Sequence, residues 1–340
     1  MRLLSSLLVL FVFSCGTEPN ATGVSSERTT YPTVGSIEKF DDRLDDVVDA
    51  TAPIEQLAEG FTWSEGPVWW DGAVYFSDVP ENRVHRWSEA DGISVWLEPS
   101  GYTGPGTYSN EPGSNGLLLD LDGNLLLCQH GDRRVARFTG DRRQPRPEFE
   151  TVAGSWRGQR FNSPNDVVQH TSGDLYFTDP PYGLPDQAAD TTREIHFQGV
   201  FRLHANDTLV TVMDSTLTRP NGVVLSPDGR IAYVANSDPK AALWRTYEVD
   251  AAGNFVNPRL FFDATNLVGK DGEPGLPDGM VVHRSGNLFA TGPGGVWIFA
   301  PDGTALGKIR TGRATANCTL DSEQSALYIT ADDVLLRVRL

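Results

Sequence analysis

The sequence is poor in cysteine and in positive charge, and it has no hydrophobic run long enough to cross a bilayer. Its 3 cysteines form no CxxC pair and no Cys/His cluster, which excludes the usual zinc and iron–sulfur patterns. With 28 basic against 45 acidic residues, the net charge is −17. A nucleic-acid partner is therefore not expected, because it needs a basic footprint. The absence of a G-x-S-x-G elbow argues against a serine hydrolase.

Residues 1–15 have the pattern of a signal peptide of the lipoprotein type. A basic start precedes an apolar stretch from Leu3 to Phe13, which is too short to span a bilayer as a helix. The stretch ends in a lipobox-like segment at Cys15. We expect export to the periplasm or membrane anchoring through a lipid on Cys15, with simple secretion as the alternative. Residues 16–49 are polar and are predicted to form a tether.

Glycine and proline are abundant, and one short unit recurs along the chain. The 34 glycines and 22 prolines favour tight turns over long helices. Each unit has a polar turn, an apolar strand, a second tight turn and another strand. The polar turns contain Glu65, Asn115, Asn165, Asn221, Asp278 and Asn317. Repeats of roughly 40 to 57 residues with strand periodicity are typical of propeller blades.

The repeats predict an all-β fold, a six-bladed β-propeller with four-stranded antiparallel blades, over residues 50–340. The last strand pattern ends the chain, so ring closure should use a strand near Ile54 to Leu57. The inner strand of each blade lines the central channel, so the polar turns should meet at one mouth of that channel. A single Asn-Gly or Asp-Gly pair has an alternative interpretation as an ordinary turn.

A ring of oxygen donors at the mouth favours a hard divalent cation. Ca²⁺ takes roughly six to eight oxygen ligands. Four residues would supply two negative charges and two neutral oxygens, and they are Glu65, Asn165, Asn221 and Asp278. Ca²⁺ is the first expectation, and Mg²⁺, Mn²⁺ and Zn²⁺ are alternatives.

Five motifs, in order, resemble those of the SMP-30/gluconolactonase family of six-bladed propellers. They are Phe61–Trp69, Ser163–Asp166, Arg219–Gly222, Leu276–Met280 and Ala316–Thr319. The resemblance covers about residues 40–340. It implies metal binding by Glu65, Asn221 and Asp278. It also implies that Asn165 lies at the metal and contacts substrate, and that Asp278 is the catalytic acid/base.

The resemblance extends to further residues of the pocket. Bacterial members imply substrate-binding positions at Asn115 and His130, and for His130 a packed, hydrogen-bonded histidine is the alternative. One position departs from the family pattern. Some members carry an arginine where this chain has Ser163, and Arg160 is a candidate replacement. The loops 101–113 and 180–194 are expected to form the rim.

The expected function is metal-dependent hydrolysis of a small-molecule sugar lactone. The cation would polarise the carbonyl while Asp278 assists water attack. Two alternatives remain open, an aryl-ester or organophosphate hydrolase at the same site and a non-enzymatic surface propeller that binds ligands. Membrane contact is expected only through the N-terminal lipid. Cys128 and Cys318 are either buried free thiols or a disulfide.

Overall fold

Six antiparallel sheets form the blades of a β-propeller, as predicted; each has the four blade strands, and one carries a fifth strand at its outer edge. The computed structural model describes residues 30–205 and 207–340, and the folded unit runs from Tyr31 to Leu340. The predicted signal peptide, Cys15 and the first part of the tether lie outside the described residues. No helix in the described ranges is long and apolar enough to cross a membrane.

The first three blades follow one another along the chain, each built from its inner strand outward. Blade 1 has β3 (Ser64–Trp70), β4 (Ala73–Asp78), β5 (Arg83–Ser88) and β6 (Gly92–Leu97). Blade 2 has β7 (Ser114–Leu119), β8 (Leu125–Gln129), β9 (Arg134–Phe138) and β10 (Phe149–Ala153). A small hairpin of β11 (Ser155–Trp156) and β12 (Gln159–Arg160) precedes blade 3. Blade 3 has β13 (Val167–Gln169), β14 (Leu175–Asp179), β15 (Gly199–Leu203) and β16 (Val210–Asp214).

The remaining blades follow the same order and take up two strands from the start of the folded unit. Blade 4 has β17 (Pro220–Leu225), β18 (Ile231–Asp238), β19 (Ala241–Val249) and β20 (Phe255–Asp263). Blade 5 has β21 (Met280–Val282), β22 (Leu288–Gly292), β23 (Gly295–Phe299), β24 (Ala305–Arg310) and an extra outer strand, β1 (Ser36–Lys39). Blade 6 has β25 (Thr315–Leu320), β26 (Ala326–Ala331), β27 (Val334–Arg339) and β2 (Ile54–Glu59). Short 3₁₀ helices span Asp42–Asp46, Gln187–Ala189 and Thr265–Leu267.

The ring closes with a strand from the beginning of the folded unit, and this prediction is confirmed. Strand β2 pairs antiparallel with β27, with Ile54 opposite Val338. The first and last parts of the folded unit are thereby joined in one blade.

The predicted tether is wrong for its second half. Strand β1 pairs with β24 in blade 5, and the 3₁₀ helix that follows buries Leu44 completely. Leu44 and Val48 belong to the apolar cluster between blades 5 and 6. The polar composition of residues 31–49 concealed these two anchoring side chains, because a few apolar residues in a polar stretch form no extended periodic pattern.

Apolar clusters between neighbouring blades form the core. Between blades 2 and 3, for example, Phe161 contacts the rings of Phe177 and Phe201 at centroid distances of 5.1 and 5.2 Å. Cys128 and Cys318 are buried free thiols that lie in different clusters. The free-thiol alternative therefore describes them correctly.

Candidate active site

The polar turns stand where the inner strands begin. In blade 1 the pairing of β3 with β4 shifts register between Glu65 and Val68, and in blade 4 the same shift occurs between Pro220 and Val223. A bulge of this kind redirects side chains at the end of a strand. Because of this repeated shift, the side chains of Glu65 and Asn221 do not follow the alternation of the residues further along their strands.

Glycine follows most of these polar residues because neighbouring inner strands approach closely there. A Cβ on Gly222 would overlap the carbonyl oxygen of Asp278. The glycines also form hydrogen bonds to the polar turn of the next blade. The Gly116 amide, for example, donates to the Asn165 carbonyl at 2.7 Å. The Asn-Gly and Asp-Gly pairs are thus contacts between blades rather than ordinary hairpin turns.

Hydroxyl side chains on the second strands hold the turns of the next blade. Ser77 Oγ donates to the Asn115 carbonyl at 2.8 Å. Thr178 Oγ1 donates to the Asn221 carbonyl at 2.7 Å. These buried bonds connect blades 1 and 3 to the polar turns of blades 2 and 4, so contacts between blades help to position the ring of turns.

The turns open into a cavity of about 210 Å³ at the mouth of the propeller. Its lining consists of Trp63, Glu65, Glu111, Asn115, Asn165, Tyr182, Arg219, Asn221, Ser237, Gly275, Leu276, Asp278, Ala314 and Thr315. The structure therefore brings together all four residues predicted to hold the metal, with Asn115 beside them. Asn317 lies outside this lining, and its amide nitrogen is 3.4 Å from Glu65 Oε2.

Several oxygen atoms of this group lack protein partners. Asn165 Oδ1 and Asp278 Oδ1 are buried without a hydrogen bond. The amide nitrogen of Asn221 donates to Ser237 Oγ at 2.9 Å, which leaves its amide oxygen available. Buried polar atoms are normally paired. Several buried oxygen atoms without partners in one cavity are the expected feature of a group of cation ligands.

The electrostatics of the cavity also favour a cation site. Burial raises the pKa of Glu65 to about 8, while the Gly66 amide, which donates to its carboxylate at 2.9 Å, opposes that shift. Burial also raises the pKa of Asp278, and the negative charges of Glu65 and Asp166 raise it further. A divalent cation between Glu65 and Asp278 would relieve this repulsion.

The donor set fits a hard cation better than zinc. Within the described residues no group of three or more His, Cys, Asp and Glu side chains is arranged to hold a metal. The cavity instead offers two carboxylates, Glu65 and Asp278, with amide oxygens beside them. Oxygen-only sets of this kind suit Ca²⁺.

His130 lies behind the cavity wall rather than on it. The residue is completely buried, and its Nε2 atom is 3.4 Å from the amide nitrogen of Asn165. Burial lowers the pKa of His130 to about 4. This placement corresponds to the packed, hydrogen-bonded alternative, and it leaves Asn115 and Asn165 as the predicted substrate residues that line the cavity.

Three ionisable residues of the wall were given no role from the sequence, and they are Glu111, Tyr182 and Arg219. The first two come from the loops 101–113 and 180–194, which were expected to form the rim. The third directly precedes the Pro-Asn-Gly motif, and it is the only basic residue in the lining. The motif position was therefore the one signal in the sequence that could have identified Arg219.

Ser163, which stands where some family members carry an arginine, has a structural role in this chain. Ser163 Oγ donates to the Pro180 carbonyl at 2.6 Å and accepts from the Gly183 amide at 3.0 Å. These bonds fix the start of the second rim loop. Arg160 is exposed and does not line the cavity, so Arg219 rather than Arg160 supplies positive charge there.

Comparison with known proteins agrees with this architecture. Residues 63–333 match the family model described as SMP-30/Gluconolactonase/LRE-like region. A gluconolactonase from Zymomonas mobilis is 40% identical over 314 residues, covering 90% of this chain and 86% of the relative. An L-arabinolactonase from Azospirillum brasilense is 29% identical over 276 residues, covering 79% and 81%.

A solved structure extends the likeness to the whole propeller. The structure of a gluconolactonase from Xanthomonas campestris matches with a TM-score of 0.76 at 28% identity, covering 92% of this chain and 99% of that chain. The matched family region includes every residue that lines the cavity. This chain belongs to the SMP-30/gluconolactonase/LRE-like family.

Proposed function

We propose that this chain hydrolyses sugar-acid lactones in the cavity at the propeller mouth, with a divalent cation as cofactor. One observation carries the proposal, the convergence of Glu65, Asn165, Asn221 and Asp278 on one cavity. The gluconolactonase and arabinolactonase names of the relatives support the substrate class. The cavity of about 210 Å³ is smaller than the roughly 300–1,000 Å³ typical of drug-sized ligands, which suits a single sugar ring.

Glu65, Asn221 and Asp278 would hold the cation, with Asn165 beside it. A bound cation would polarise the lactone carbonyl and stabilise the negative charge that develops on its oxygen. Ca²⁺ is the proposed ion because every donor in this set is an oxygen atom. The unpaired oxygens of Asn165 and Asp278 support this assignment.

The remaining lining would orient the substrate and move a proton. Asp278 would accept a proton from the attacking water, which is the role that the family resemblance implies. Asn115, Tyr182 and Arg219 offer hydrogen-bond donors for sugar hydroxyls. Trp63 provides an apolar surface for the ring.

A pH-indicator assay tests the proposal. Purified protein would be given a panel of sugar-acid lactones, with Ca²⁺, Mg²⁺, Mn²⁺, Zn²⁺ or EDTA. Lactone opening that Ca²⁺ stimulates and EDTA abolishes is the expected result. Faster turnover of an aryl ester or an organophosphate in a parallel arm would favour the alternative hydrolase. No hydrolysis of any substrate with any metal would favour the binding propeller.

A further inference from the structure

Glu111 is a third carboxylate of the cavity wall, in addition to the proposed cation ligands Glu65 and Asp278. It belongs to the rim loop 101–113 and lines the same cavity as Glu65 and Asp278. The two residues that follow Glu111 are hydrogen-bonded to the two residues that follow strand β8. The Gly131 amide donates to the Pro112 carbonyl at 3.2 Å, and the His130 amide donates to the Gly113 carbonyl at 3.1 Å. A loop residue is thus held in a defined place at the mouth.

The carboxylate of Glu111 has no basic residue to neutralise it. Its side chain is 33% exposed, and its Oε2 atom is 3.9 Å from His130 Nδ1. Burial keeps the pKa of that histidine low, at about 4, so the ring is neutral at physiological pH. Within the described chain, no lysine or arginine forms an ion pair with Glu111. Burial raises the pKa of Glu111 to about 7.

The cavity therefore holds carboxylates in two different environments. Glu65 and Asp278 would face the cation, whose charge favours their ionised forms. Glu111 lacks such a partner, and its neutral form is favoured. A bound cation would hold Asp278 in its ionised form as a base, whereas burial favours the protonated form of Glu111, which could then act as an acid.

We infer that Glu111 is a further catalytic residue, the carboxylic acid that protonates the ring oxygen as the lactone opens. This inference rests on the proposed lactonase function. The oxygen of water forms a bond to the carbonyl carbon, and Asp278 takes the water proton. The bond from that carbon to the ring oxygen breaks, and the ring oxygen takes the Glu111 proton. The product is a hydroxy acid, and proton exchange with solvent restores both side chains.

The test compares two lactones that differ in their leaving group. An aliphatic sugar lactone releases an alkoxide, which needs a proton. An aryl lactone releases a phenol with a pKa of about 10, which leaves without help. Glu111→Gln should lower kcat for the sugar lactone by about 10² to 10⁴-fold, the usual contribution of a general acid. The same variant should lower kcat for the aryl lactone by less than about tenfold.

The pH profile provides a second readout. Wild-type kcat for the sugar lactone should fall at high pH as Glu111 loses its proton, and Glu111→Gln should lack this fall. Glu111→Asp, which keeps a carboxyl group, should retain part of both the rate and the fall. The other titratable or charged groups around Glu111 are Glu65, Asp278, Tyr182, Arg219 and His130.

Controls separate catalysis from folding and metal binding. Glu148 is exposed and lies outside the cavity, so Glu148→Gln should leave all rates unchanged. Calorimetry should show that Glu111→Gln still binds Ca²⁺. Equal losses on both lactones, lost Ca²⁺ binding or an unchanged sugar-lactone rate would each overturn the role of Glu111. If the wild type hydrolyses neither lactone, the proposed function itself fails.

Discussion

Replacing Glu65 by glutamine should stabilise the metal-free protein at alkaline pH and remove its response to Ca²⁺. Burial raises the pKa of Glu65 from 4.5 to about 8, so the folded protein prefers the protonated form. Ionisation of Glu65 therefore lowers the free energy of unfolding of the wild type as the pH rises from 4.5 to about 8. Below pH 4.5 the side chain is protonated in both the folded and the unfolded state, and there is no such loss. At about 1.4 kcal/mol for each pKa unit, the loss is on the order of 3–5 kcal/mol.

Glutamine can take the place of Glu65 without loss of its hydrogen bonds. The Gly66 amide and the Asn317 amide nitrogen both approach the same oxygen, Oε2, at 2.9 and 3.4 Å. The oxygen of a glutamine amide can accept both. Since glutamine does not ionise, the variant should keep at pH 8.5 most of the stability that the wild type loses.

Denaturant unfolding in EDTA at pH 5 and pH 8.5, repeated with Ca²⁺, measures both effects. The variant should match the wild type at pH 5 and exceed it at pH 8.5. Ca²⁺ at a hundred times its Kd should stabilise the wild type by about 2.7 kcal/mol and the variant by much less. The exposed Glu148→Gln serves as the matched control. A variant less stable than wild type in EDTA at pH 8.5 would refute the electrostatic account.

Three further outcomes are expected. Arg219→Met removes the only basic residue of the cavity lining and should lower kcat/KM for hydroxylated lactones by about tenfold or more, whereas the exposed Arg160→Met should not. Leu44→Ala removes a completely buried side chain and should lower the free energy of unfolding by about 2–5 kcal/mol; a tether residue would show no change. Cys15→Ser should move the protein from the membrane to the soluble fraction of a bacterial host, and unchanged membrane association would contradict the lipobox.

The repeat made most of the fold predictable. Each copy brings its own strands and polar turn, so the sequence alone indicates that Glu65, Asn221 and Asp278 occupy equivalent positions in their blades. Ring closure by β2 followed from the missing strand at the end of the chain. The structure added the physical reason for the glycines, because the backbone of Asp278 leaves no room for a side chain at Gly222.

Features outside the repeat were the ones that the sequence concealed. Glu111 and Tyr182 lie on rim loops, whose course depends on tertiary contacts rather than on strand periodicity. The sequence left His130 as either a substrate contact or a packed histidine, and the structure has its ring fully buried beside Asn165. The second half of the predicted tether folds because Leu44 packs in the core, and one leucine in a polar stretch is a weak signal.

The most direct test of the cation centre is a Ca²⁺ titration of metal-stripped protein in which bound ion and lactone hydrolysis are measured in the same samples. We expect one bound ion for each chain, with the rate rising in proportion to occupancy, and neither effect in Asp278→Asn. Full lactone hydrolysis in excess chelator, with no ion bound, would contradict this expectation.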